Sequence, residues 1–244
     1  MADRIVADLI VNSVSAFFPC YNDAESIGTM VAAVDAALAT RVDDYEIIVV
    51  TDGSSDKSSA VLAELRVTHP HLIVIEHEAN RGYGGALITG FAAATKEWIF
   101  YTDGDAQYDA SEVTKLIDAA RADTDIVQGW KLSRGDTWYR KVIGRAYHHT
   151  VKFLFRLSVA DTDCDFRLFR RSLIVERPLQ STSGVICVEM MRQFERAGAT
   201  FVEVPVHHYE RPSGRSQFFR LRAIARSAQQ LLALWWRLMV RRRD

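Results

Sequence analysis

The chain has little cysteine, little proline and no long apolar run. Three cysteines in 244 residues (Cys20, Cys164, Cys187), odd in number and unclustered, do not make a disulfide framework or a zinc site. A reducing compartment is the expected home. Five prolines leave long segments uninterrupted, and no internal repeat or low-complexity linker divides them. No stretch reaches the roughly 18 apolar residues of a membrane span. The first residues, MADRIVADLIVNS, carry acids where a secretory leader would carry bases. A soluble or surface-lying chain is expected. Net charge is nearly absent too, at −1, but it is unevenly spread. Arg215 to Asp244 hold eight arginines and one aspartate, +7, which leaves −8 on the preceding residues. An acidic body argues against a nucleic-acid-binding module.

Strand-like and helix-like segments alternate along the first ~130 residues. Strands are expected at Val14–Tyr21, Glu46–Thr51, Leu72–Ile75, Glu97–Tyr101 and Asp125–Gly129. Helices are expected at Ala24–Ala39, Ala60–Val67, Ala86–Thr95 and Ala110–Arg121. Asn22 or Asp23 is placed to cap the first helix, and the Asp52–Asp56 cluster the second. This order predicts a three-layer α/β/α fold with a mostly parallel sheet, whose ligands sit at the carboxyl ends of the strands. Asn22, Asp23, Asp52, Arg81, Asp103 and Asp105 all fall at such ends or just after them.

The stretch Phe100–Asp109, FYTDGDAQYD, brings Asp103 and Asp105 out of a buried strand one residue apart. Paired hard oxygen ligands suit Mg²⁺ or Mn²⁺, which complete their shells with substrate phosphates, and Gln107 adds a neutral oxygen. A polar turn reads the same way. In Asn80–Gly85, Gly82 and Gly84 lack the third glycine of a dinucleotide fingerprint, and no Walker lysine follows. They serve a tight turn or a close backbone approach, with Arg81 beside them for a phosphate or base.

Beyond Gly129 the chain turns basic and aromatic, with Lys131, Arg134, Trp138, Tyr139, Arg140, Lys141 and Arg145. A helix is expected through Phe155, another at Val185–Ala197, and a strand at Phe201–Pro205. His207 and His208 lack a spaced partner and read as loop or strand-end residues, not ligands; Met190 and Met191 read as core. From Phe218 onward apolar residues recur every three or four positions, with Arg220, Arg226, Gln230, Arg237 and Arg241 opposite. That is an amphipathic helix. It either packs on the body or a second subunit, or lies on a membrane with Trp235 and Trp236 at headgroup depth.

Six motifs in order resemble the inverting nucleotide-sugar glycosyltransferases of the GT-A fold, family 2, and more narrowly the polyprenyl-phosphate (dolichyl-phosphate) mannose and glucose synthases. They are Pro19–Asp23 (PCYND), Val50–Asp56 (VTDGSSD), Asn80–Ala86 (NRGYGGA), Asp103–Asp109 (DGDAQYD), Asp163–Phe169 (DCDFRLF) and Arg211–Ser216 (RPSGRS). The resemblance implies a GT-A glycosyltransferase domain over residues 1–217, followed by a basic amphipathic helix over 218–244. It implies a metal-dependent enzyme moving a hexose from a UDP-sugar or GDP-mannose to a polyprenyl phosphate. Pro19, Tyr21, Asn22 and Asp23 would contact the nucleotide, Asp52 the base, and Arg81 and Ser216 the donor. Asp103 would reach the ribose or the metal, with Asp105 and Gln107 on the Mg²⁺ or Mn²⁺ ion. Asp103, Asp105 and Arg211 would carry catalysis, with Arg211 and Ser216 on a loop over the diphosphate. Lys131, Arg140 and Arg167 would surround the acceptor phosphate. The chain would then be cytoplasmic and peripheral on the inner face of a membrane, with homo-oligomerisation left open. Three positions depart from the family pattern: Asp23 for glutamate, Tyr83 for a frequent lysine, and Asp165 for glycine. A glycosyltransferase acting on a glycan or lipid-linked hydroxyl, with Glu189 or Asp163 as base, is the alternative, as is a non-catalytic nucleotide-sugar-binding protein.

Overall fold

The apolar runs at 13–20, 44–52 and 98–102 form the middle of a single sheet. The computed structural model describes residues 10–132, 148–158, 161, 164–211 and 221–241. Its strands are β1 (Ser13–Cys20), β2 (Asp44–Asp52), β3 (Leu72–His77), β4 (Trp98–Thr102), β5 (Ile126–Lys131), β6 (Phe166–Arg170) and β7 (Phe201–Val206). The sheet order is β3-β2-β1-β4-β6-β5-β7. The pairs β1–β2, β1–β4, β2–β3 and β5–β7 are parallel, and β6 runs antiparallel between β4 and β5. Periodicity alone does not mark β6 as a strand, because Arg167 interrupts its apolar face. That arginine is fully buried and satisfied there. Thr102 pairs with Phe166, so the start of β6 lies at the same rim as the carboxyl ends of the parallel strands.

Among the described residues the α-helices are α1 (Ile27–Leu38), α2 (Ser58–Thr68), α3 (Tyr83–Ala93), α4 (Val113–Ala119), α6 (Ser172–Val175), α7 (Ile186–Arg196) and α8 (Leu221–Trp235), with residues 148–155 forming α5. Strand alternation divides them into two layers. Val14, Ala16 and Phe18 of β1 face Met30, Val31, Leu62, Val113 and Leu116 of α1, α2 and α4. Phe17, Ile99 and Tyr101 face Leu87, Phe91, Phe155, Met190 and Phe194 on the other side. Met190 and Met191 are core residues, as their setting in α7 predicts. Fully burying each such large side chain contributes about 1.5–3 kcal/mol.

The C-terminal helix packs on this second layer. Leu231, Leu234 and Leu238 are buried in it, the last on a π-helical turn, Trp236–Val240, that continues α8. The Trp235 indole donates to the Leu154 carbonyl at 3.0 Å. Arg237, expected on the outward polar side, turns inward instead. Its guanidinium donates to Glu189 at 2.6 Å and to the Gln180 side-chain oxygen at 2.6 Å. A carboxylate only 1% exposed demands a partner more strongly than helix amphipathy demands an exposed arginine. Leu232 (62% exposed), Trp236 (57%) and Val240 (43%) remain outside. Among the described residues no helix is long and apolar enough to cross a membrane. The boundary expected between residues 217 and 218 lies outside the described residues.

Candidate active site

The loops after β1, β2 and β4 lock together at the rim. Asn22, in a left-handed conformation (φ 57°), donates its amide to the Ser54 hydroxyl at 3.1 Å. Its side-chain oxygen accepts from the Ser55 amide at 2.8 Å. It therefore ties the first loop to the second and does not cap α1, which begins after Ser26; the Ser26 hydroxyl donates to the Gly104 carbonyl at 2.8 Å. At α2, Asp56 does accept the Ser58 amide, at 2.9 Å. Gly104 passes so close to β1 that a Cβ there would lie 2.8 Å from the Pro19 carbonyl oxygen. Only glycine lets the D-G-D turn sit on Pro19. Tyr21 is exposed beside it.

Asp52 ends β2 buried. One of its oxygens accepts from His77 Nδ1 at 2.6 Å and from the Arg81 amide at 2.8 Å. His77 Nε2 meets the Thr89 hydroxyl at 2.9 Å. His77 drew no attention in the sequence; its only signal is its place at the end of the third strand. The Arg81 side chain is exposed. Gly84 packs against the chain itself, its amide donating to the Thr182 carbonyl at 3.0 Å.

Four carboxylates converge where β1, β4 and β6 meet. Burial pushes Asp103 well above the ordinary carboxylate range, and the charges of Asp165 and Asp105 push it further. Burial also raises Asp105 against the pull of the Gln107 amide and Arg211, and raises Asp23 against its bonds from Tyr21 and Arg211. The Tyr83 hydroxyl donates to Asp103 Oδ1 at 2.7 Å. The Gln107 side-chain amide donates to the Tyr209 carbonyl at 3.3 Å.

Residues 207–211 form a strap that brings in the opposing cation. His207 binds Glu112 through its backbone amide (3.0 Å) and ring (2.6 Å). His208 bridges to Tyr108, and the Tyr209 amide donates to the Gln107 carbonyl at 2.8 Å. Arg211 then reaches back across 188 residues to Asp23 at 2.5 Å, with Asp105 at 3.7 Å. Sequence alone gives no sign of these two ion pairs.

On the far side of the cluster Arg167 is inside the sheet. Nε donates to Gln128 at 2.8 Å and Nη1 to Asp165 at 3.0 Å. Asp165, an added negative charge by sequence, is thus the counter-ion of Arg167. Lys131 ends β5, half-buried. Arg140 and Ser216 lie outside the described residues, as does Asp163.

The donor set fits a hard divalent cation. Among the described residues Asp23, Asp103, Asp105 and Asp165 meet two guanidinium groups, Arg211 on Asp23 and Asp105 and Arg167 on Asp165, so the carboxyl groups outnumber these cations and an arriving divalent ion would favour their ionised form. Among the described residues no three His, Cys, Asp or Glu side chains gather as a complete metal site. The chain would therefore supply about two oxygens and leave the rest to substrate and water, as Mg²⁺ and Mn²⁺ sites often do.

This arrangement has relatives. The chain is 29% identical over 215 residues to the undecaprenyl-phosphate 4-deoxy-4-formamido-L-arabinose transferase of Enterobacter sp. (strain 638), covering 88% of this chain and 65% of that one. It thus spans just under two thirds of that relative's length. Among solved structures, the glucosyl-3-phosphoglycerate synthase of Mycobacterium tuberculosis in complex with phosphoglyceric acid superposes with a TM-score of 0.71 at 17% identity, covering 93% of this chain and 79% of that chain. The same synthase with Mn²⁺, UDP-glucose and glycerol 3-phosphate gives 0.69 at 17% identity over the same shares. At that identity the likeness establishes the fold, a GT-A-type α/β sheet with helices on both faces. The family model described as Glycosyl transferase family 2 matches residues 15–177, well over half the sequence. The chain belongs to glycosyl transferase family 2.

Proposed function

We propose that the protein transfers a glycosyl group from a nucleotide-sugar to a polyprenyl phosphate at a membrane surface. The observation that carries this reading is the cluster of four carboxyl groups at the strand ends, strapped by Arg211. A divalent cation held by Asp103 and Asp105 would offset charge building on the departing diphosphate. Arg211, released from Asp23 and Asp105 when donor enters, would serve the same leaving group. The acceptor phosphate oxygen bonds to the anomeric carbon as the bond from that carbon to the diphosphate breaks, and nucleoside diphosphate leaves.

A phosphate acceptor suits these residues better than a hydroxyl. With a second pKa near ~6 it is already anionic at neutral pH and needs no base. A hydroxyl would need one. Of the two candidate bases, Glu189 is taken by Arg237 and by the Gln180 and Ser181 amides, and Asp163 lies outside the described residues. The cost of an anionic acceptor is repulsion from the donor, which Lys131 and the basic run after it would offset. The relative from Enterobacter, which bears undecaprenyl phosphate in its name, supports the same acceptor class. Exposed Leu232, Trp236 and Val240, with Arg241 beside them, offer an apolar stripe and a cation to an anionic bilayer.

The test is a donor panel of UDP-sugars and GDP-mannose with a short polyprenyl phosphate and Mn²⁺, reading glycolipid and nucleoside diphosphate together. Stoichiometric formation of both supports the reading. Tight donor binding with no nucleoside diphosphate released would instead identify a non-catalytic binding protein.

A further inference from the structure

Asp103 is the carboxylate of the cluster held by a neutral donor. Asp23 and Asp105 take Arg211, and Asp165 takes Arg167. Among the described residues Asp103 has one hydrogen-bond partner, the Tyr83 hydroxyl on Oδ1. That hydroxyl is itself fixed, because it also touches the Tyr101 hydroxyl. The Tyr101 ring is buried, stacked on Phe17 at 6.0 Å and edge-on to Phe91 at 5.6 Å. The backbone carrying Tyr83 is equally constrained. The next residue, Gly84, donates to Thr182, and a Cβ on Gly84 would lie 2.2 Å from the Ser181 carbonyl oxygen. Ser181 is pinned in turn to Glu189 at 2.8 Å.

A carboxylate on a glycine-flanked turn needs orienting if it is to present an oxygen in one direction. A lysine or arginine would orient it but also compete with any cation arriving there. A tyrosine hydroxyl orients it and adds no positive charge for the ion to displace. We propose that Tyr83 is a positioning residue for the cation site: it holds Asp103 by Oδ1, without neutralising it, so that Oδ2 faces the incoming ion. Tyr101 acts one step behind, holding the Tyr83 hydroxyl. This inference rests on the reading of Asp103 as a cation ligand.

The experiment is Mn²⁺ titration of the full chain with UDP present, followed by the loss of the free-ion signal in electron paramagnetic resonance. Tyr83→Phe keeps the ring and removes the hydroxyl. Its Mn²⁺ affinity is expected to fall on the order of ten-fold, the scale of one lost bond to a charged group. The KM for polyprenyl phosphate should stay unchanged, a split that general loosening of the fold would not give. Tyr101→Phe should show a smaller loss of the same kind, and it carries the test alone if the Tyr83 variant does not fold. Saturable binding in wild type with equal affinity in the folded variants overturns the role of Tyr83. Absence of saturable binding in wild type overturns the cation-site reading, and the proposal with it.

Discussion

Leu234→Ala and Trp236→Ser sit two residues apart on the C-terminal helix and should behave oppositely. Leu234 is buried against the second layer. Truncating a leucine in such a place costs about 2–5 kcal/mol, depending on how far the cavity collapses. For a chain of this size each kcal/mol moves the melting temperature by about 2–4 °C, so a drop of roughly 4–20 °C is expected. Arg237→Ala should cost less. It leaves Glu189 buried with the Gln180 and Ser181 amides still bound, and Arg237 is 37% exposed, so solvent already screens part of the pair. About 1–3 kcal/mol is the expected scale. Trp236 points outward, and its loss should fall within about 0.5 kcal/mol of wild type. In liposome flotation the order reverses: Trp236→Ser, especially combined with Leu232→Ser, should release the protein from anionic vesicles. Thermal denaturation and flotation on the same preparations decide it. A Leu234→Ala melt equal to wild type, or a large loss of stability in Trp236→Ser, would refute the assignment of inner and outer faces.

Two further predictions concern the carboxylate cluster. Asp103→Asn should melt higher than wild type while losing turnover. Burial and neighbouring charges raise the folded-state pKa of Asp103, so its ionisation opposes folding as pH rises past the unfolded value. The gain should therefore be clear near pH 8 and vanish near pH 4; a variant less stable than wild type at pH 8 would contradict it. Arg211→Gln should bind Mn²⁺ more tightly than wild type in the absence of donor, because the guanidinium no longer competes for Asp23 and Asp105, and yet turn over more slowly. Weaker donor-free Mn²⁺ binding in this variant would show that Arg211 does not compete with the ion.

The parallel half of the fold was legible because its strands are apolar on both faces and end in polar clusters. Val14–Tyr21 and Glu46–Thr51 announce themselves in this way, and their ends delivered Asp23 and Asp52 to the rim. β6 was not legible, since Arg167, its second residue, breaks the apolar run. What makes Arg167 tolerable, Gln128 on one side and Asp165 on the other, exists only after folding. The helix from 218 onward could be read as amphipathic, but not what its apolar face covers. The deciding group is Glu189, about fifty residues earlier, which draws Arg237 inward. The partners within the site were the least legible. Arg211 meets Asp23, and Tyr83 meets Asp103, through backbone paths that no local pattern encodes.

In the proposed reaction the acceptor is a phosphate carried on a lipid. The decisive measurement offers this chain, Mn²⁺ and its preferred nucleotide-sugar two acceptors that differ only in the phosphate, a polyprenyl phosphate and the matching polyprenol, in the same vesicles. Glycolipid and nucleoside diphosphate are expected in equal amounts from the phosphate, and neither above background from the alcohol. Equal reaction with the polyprenol would contradict it.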